Sequence, residues 1–117
     1  MKHTRERVAS DLRHRLSEIF ALRVSDPRLR EVTIVEVRPS ADLSFAKVFY
    51  RTLGDPAEIG DAIERAKPFV RHCLAEGWKL RRVPELAFIH DTSPDRAERI
   101  EQILREVGAG DEPGEPA

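Results

Sequence analysis

The sequence predicts an α+β domain in which a three-stranded sheet packs against helices. Three observations lead there. Residues 32–51, VTIVEVRPSADLSFAKVFYR, read as two strands of alternating polar and apolar character joined by the turn Arg38-Pro39-Ser40-Ala41-Asp42. Charged segments with helical periodicity flank this pair on both sides. A third short run, ELAFIH from Glu85 to His90, has strand character. Two strands alone are marginal in water, so the pair needs both the third strand and a helical layer.

The first helix is expected from about Thr4, an N-cap, to about Arg23. Val8, Leu12, Leu16, Ile19 and Phe20 recur at three- and four-residue spacing and form one apolar stripe. Ser25-Asp26-Pro27 stops it, because proline lacks a donor and holds its predecessor extended. Leu29 is expected to tuck back onto the core. Strand one is placed at about Glu31 to Val37 and strand two at about Leu43 to Thr52. On strand two, Ala46, Val48 and Tyr50 share one face, and Phe45, Lys47, Phe49 and Arg51 share the other. Aromatics mixed with cations suit an open sheet face, and equally a helix-covered face with snorkelling lysines.

Asp55-Pro56-Ala57-Glu58 is a helix start, with a cap, a proline at the first position and an acid at the third. Ile59, Ala62, Ile63 and Ala66 then share a face, and Phe69, Val70, Cys73, Leu74 and Trp78 resume the period beyond Pro68. The interruption predicts a helix-kink-helix bent at Ala66-Lys67-Pro68. Gly77 fits a cap, while Trp78 argues for about one further turn. In strand three either Leu86 and Phe88 or Ala87 and Ile89 face inward. Ser93 or Thr92 can cap a last helix carrying Ala97, Ile100, Ile103, Leu104 and Val107. The order is α-β-β-α(kink)α-β-α. One domain is expected over residues 1–107, followed by a disordered acidic tail over 108–117 with nothing large to bury.

Composition narrows the function classes. A chain of 117 residues with 40% hydrophobic and 35% charged residues supports one modest core under a heavily solvated surface. A single cysteine, Cys73, permits no internal disulfide and reads as a small buried hydrophobe. The opening MKHTRERVASDLRHRL lacks the apolar region of a signal peptide, and no apolar run approaches the ~20 residues of a membrane span. A cytoplasmic location is expected. The four histidines, His3, His14, His72 and His90, make no metal-ligand spacing. His90-Asp91 and Ser93 lie too close along the chain for a triad, and Ser93 serves better as a cap. The glycines form no phosphate-cradling loop. The chain is not expected to be an enzyme, to hold a cofactor or metal, or to contain an obvious pocket; it reads as a module that presents surface.

That surface is unevenly charged. The formal net charge is −1, yet residues 1–30 carry eight Lys/Arg against four acids, and residues 61–84 carry six against three. Two basic segments on a near-neutral chain suit docking on a polyanion.

The stretches RVASDLRHRLSEIF, SDPRLREVTIVEVRPSADLSFAKVFY and LRRVPELAFIHDTSPDRAERIEQIL, with the helices between them, cover about residues 3–107. Within them Asp26-Pro27-Arg28-Leu29, Ala46-Lys47-Val48 and Arg82-Val83-Pro84-Glu85-Leu86 occur in order at compatible spacing. In this combination the chain resembles the ribosome-binding factor A family. The resemblance implies a type II KH-like domain without the GxxG loop of ordinary KH domains. It implies a non-catalytic factor that binds free 30S particles, assists late assembly and 5'-end processing of small-subunit RNA, and supports growth in the cold. It also implies a bend at Ala-x-Gly in the second helical region. Here that place reads Ala66-Lys67-Pro68, and the proline removes the close backbone approach a glycine allows.

If the ligand is ribosomal RNA, the candidate contacts are Arg5, Arg7, Arg13, Arg15, Lys47, Arg71, Lys79, Arg81 and Arg82, because lysine and arginine engage phosphates without regard to sequence. The expected partners are the free 30S subunit and its RNA, met by a monomer, with no membrane. The competing reading is a protein-interaction module that docks through the Phe45/Phe49 sheet face or the last helix without touching RNA.

Overall fold

The computed structural model describes residues 4–78 and 82–92. In chain order these form α1 (Arg5–Leu22), a 3-10 turn (Pro27–Glu31), β1 (Val32–Pro39), β2 (Phe45–Thr52), α2 (Pro56–Ala75) and β3 (Glu85–His90). The expected last helix and acidic tail lie outside the described residues.

Thr4 caps α1, its hydroxyl accepting the Arg7 N–H at 3.1 Å. The five apolar residues of the stripe, Val8, Leu12, Leu16, Ile19 and Phe20, are all buried. At the other end the Ile19 carbonyl accepts from both Arg23 and Val24, and Val24 turns into the core. Asp26 starts the 3-10 turn by accepting the Arg28 N–H, which drops Leu29 into full burial.

The sheet order is β1-β2-β3, with β1 antiparallel and β3 parallel to the central β2. A parallel neighbour needs a crossover, and α2 supplies it. Ala46, Val48 and Tyr50 of β2 face the helices with Leu86 of β3, and Phe88 packs behind them against Phe20 at 5.8 Å between ring centroids. Of the two alternatives for β3, Leu86 and Phe88 are thus inward, and Ile89 is outward.

Local irregularities shift the strand limits. Val35 has no partner in the register between Ile34 and Glu36, a β-bulge. Because of it Ile34 and Val37, three residues apart, both point inward. β1 continues to Pro39, which an edge strand tolerates. β2 starts at Phe45 rather than Leu43, because Leu43 is left-handed at φ 62° and ends the turn by donating to the Ser40 carbonyl at 3.0 Å. The Asp42 carboxylate braces this turn, accepting from the Ser40 and Ser44 hydroxyls at 2.8 Å each.

α2 runs unbroken through Ala66, Lys67 and Pro68, and one expectation for this region, its far end, is corrected. Pro68 is exposed and forfeits a single main-chain bond, while Ile59, Ala62 and Ile63 before it and Val70, Cys73 and Leu74 after it are buried along one stripe. Burial on both sides carries the helix across the gap. The helix ends at Ala75, without the further turn expected from Trp78. Glu76 (φ −66°, ψ 116°) and Gly77 (φ +73°) form the centre of a type II turn closed by the Trp78 N–H on the Ala75 carbonyl at 3.2 Å. The positive φ is why glycine stands there.

Candidate nucleic-acid interface

The face of α1 opposite its apolar stripe is polar, and the turn after α2 lies beside it. Between them runs an open groove of about 790 Å³, lined by Arg7, Arg13, Arg15, His14 and Trp78 among others. The sequence reading expected no pocket. It missed His14, Ser10 and Ser17, although their helical spacing on the solvent face is legible, and Trp78, whose position depends on the Gly77 turn.

The candidate cations separate into distinct roles. Arg5, Arg7 and Arg13 are exposed on α1. Arg82 is exposed, and its carbonyl accepts the Trp78 Nε1–H at 3.1 Å, which ties it to the groove. Arg15 is half-buried: Nη2 donates to the carbonyls of Leu74 and Glu76 at 2.8 and 2.6 Å, and the guanidinium lies 5.7 Å from the Trp78 ring centre. It satisfies carbonyls at the end of α2 that have no helical donor. Arg71 is also half-buried, donating to the Val83 carbonyl at 3.0 Å with Glu85 at 3.6 Å, and so secures the entry to β3. Lys47 is exposed on the far side of the sheet, away from the groove. Lys67 pairs with Glu64 at 3.0 Å. Lys79 and Arg81 lie outside the described residues.

Two other cations of the N-terminal segment, Arg23 and Arg28, are paired with acids. Arg23 pairs with Glu76 at 2.8 Å and holds that carboxyl below its ordinary range. Arg28 grips Asp26 at 2.7 Å and, with its own main-chain N–H, brings the carboxyl to about 2. Arg5, Arg7 and Arg13 are exposed on the first half of α1, and Arg30, Lys47, Arg65 and Arg82 are exposed elsewhere on the domain. Among the described residues no group of three or more His, Cys, Asp and Glu is placed to hold a metal ion. Cys73 is a buried free thiol, and no described helix is long and apolar enough to cross a membrane.

The family described as Ribosome-binding factor A matches residues 4–104. The chain belongs to that family. Ribosome-binding factor A of Desulfatibacillum aliphaticivorans is 40% identical over 114 residues, covering 95% of this chain and 93% of that protein. The Streptococcus mutans ribosome-binding factor A is 35% identical, covering 90% and 94%. The crystal structure of ribosome-binding factor A from Thermus thermophilus superposes with a TM-score of 0.67 at 30% identity, over 75% of this chain and 97% of that one. A homology model of the Thermus thermophilus factor, fitted into the cryo-EM map of a 30S complex of that factor, gives 0.60 at 30% identity over 69% and 88%. The mixed sheet on two helices is the KH-like topology of these ribosome-binding factor A structures. Members of the family are non-catalytic.

Proposed function

We propose that this chain is a maturation factor that binds free 30S subunits late in assembly and meets their RNA through the basic face of α1. The observation that carries the proposal is the exposure of Arg5, Arg7 and Arg13 on one helix of a ribosome-binding factor A domain. Arg82, with Lys79 and Arg81 beside it in sequence, extends the contact past Trp78, and Lys47 adds one from the sheet. Arg15 and Arg71 support the surface from beneath, their guanidinium groups being engaged with main-chain carbonyls. Phosphate contacts of this kind carry little sequence information, so selectivity would come from the shape of the assembling particle. Assistance to 5'-end processing, a role in cold growth, a cytoplasmic location and action as a monomer belong to the same reading and rest on the family resemblance.

Co-sedimentation with separated 30S, 50S and 70S particles at two salt concentrations tests it. The expected result is association with 30S alone that weakens steeply as salt rises. Equal sedimentation with 50S particles, or none with 30S, refutes it. Association indifferent to salt would instead mark an apolar protein interface.

A further inference from the structure

The helices cover one face of the sheet, and the opposite face is open among the described residues. Along the central strand that open face alternates Phe45, Lys47, Phe49 and Arg51. Phe45 and Ile89 are 38% and 37% exposed, Lys47 is exposed, and Phe49 is half-buried. Across the register Arg38 stands opposite Lys47 and Ile89 beside Phe49. We propose that this face is a second RNA-binding site, which takes unpaired nucleotides of a single strand by stacking bases on Phe45 and Phe49. It borrows from the proposed function only that the ligand is RNA.

Spacing, charge and ring geometry support it. Alternate residues of a strand lie about 7 Å apart, so the two rings stand about 13 Å apart with a cation midway. An extended single strand laid along β2 would therefore set a base on each ring and a phosphate over Lys47, with Arg51 beyond the second ring. The acids on this face are already answered: Glu36 is paired with Arg38 at 2.6 Å, and Glu85 faces Arg71 at 3.6 Å. The Arg38 guanidinium lies 5.1 Å from the Phe49 ring centre, so a planar group already uses this ring, and a base can stack on the guanidinium or take its place. A protein partner is the poorer fit, because interface centres are depleted of charge whereas here a lysine stands between the aromatics. Aromatics interleaved with cations are how sheet-based modules hold single strands with little base preference.

The test is titration of the full chain with a single-stranded octaribonucleotide carrying 2-aminopurine, read by anisotropy and by quenching of the probe. Salt-sensitive binding with quenching is expected. F45A, at an exposed position, should weaken it at least about fivefold, as should F49L, which keeps apolar bulk but removes the stacking ring. R65E, at an exposed position of α2, should retain the quenching, because α2 lies on the other side of the sheet. Melting curves confirm that each variant is folded. Unchanged affinity in folded F45A overturns the proposal, as does binding without quenching or equally tight binding of a duplex. If F45A loses 30S association while the oligonucleotide never binds, the face docks protein and the proposal fails. If 30S association is absent but quenching persists, the proposed function fails and this site stands.

Discussion

Arg15 donates to the Glu76 carbonyl at 2.6 Å, across 61 residues of chain. The same nitrogen reaches the Leu74 carbonyl, so one side chain of α1 closes the end of α2 and fixes the turn that presents Trp78. A residue that looked like an RNA contact by composition is thereby a structural tie.

R15A should therefore cost stability, about 1.5–3 kcal/mol for hydrogen bonds made by a charged donor. Urea unfolding measures it. The Trp78 emission of the folded variant should shift as well, since the guanidinium no longer stacks near the indole. A stability equal to that of the unsubstituted chain would show that the turn holds itself.

P68A should stabilise the protein. Proline in a helix interior is about 3 kcal/mol worse than alanine, and it returns about 0.4–1 kcal/mol by restricting the unfolded chain. With surrounding burial already adapted to proline, a net gain of about 1–2 kcal/mol is expected in thermal or chemical unfolding. No gain would mean that the two halves of α2 are set by their packing alone.

Acid should loosen the hairpin turn in a defined window. The Ser44 hydroxyl first, then the Ser44 N–H and the Ser40 hydroxyl, hold Asp42 at about 2; Asp26 is held at about 2 by Arg28. Both lie below an unfolded value of about 3.9. Between these values the unfolded chain binds more protons, so stability is complete above about pH 4 and declines as pH falls toward about 2. In D42N the decline should be shallower. An identical pH profile for D42N, by chemical denaturation at fixed pH steps, would remove Asp42 from the acid response.

R5E/R13E should weaken 30S association and reduce the magnitude of its salt slope by about 2, one for each lost phosphate contact. Folding should survive, because exposed charges contribute little to stability. R30E/R65E, which lie away from the groove, serve as the matched control. Equal loss in both double variants would reduce the effect to net charge.

Much of the fold was legible because the relevant signals are local. The stripe from Val8 to Phe20, the Thr4 and Asp55 caps and the limits of β3 follow from spacing and capping chemistry alone. Pro68 removes one main-chain bond but does not break the helix, because six buried residues of one stripe outweigh it. Trp78 misled because apolar periodicity continued past Gly77, where the backbone does not. The site was less legible. Exposure of Arg5 and Arg13 follows from the helical wheel, but the fate of Arg15 depends on carbonyls more than fifty residues away, and that of Arg71 on a loop twelve residues on. Main-chain acceptors at a distance leave no trace in composition.

The bulge at Val35 bears on how this strand tolerates changes in length. Val32 and Ile34 point inward on one parity, and Val37 and Pro39 on the other. Removing Val35 or Glu36 would join the two halves into unbroken alternation with every inward residue still inward. Removing Thr33 would reverse Val32 relative to everything after it. The edge strand thus has one hinge of frame, where a residue can be lost without inverting its neighbours, and single-residue gaps elsewhere in it exchange core for solvent.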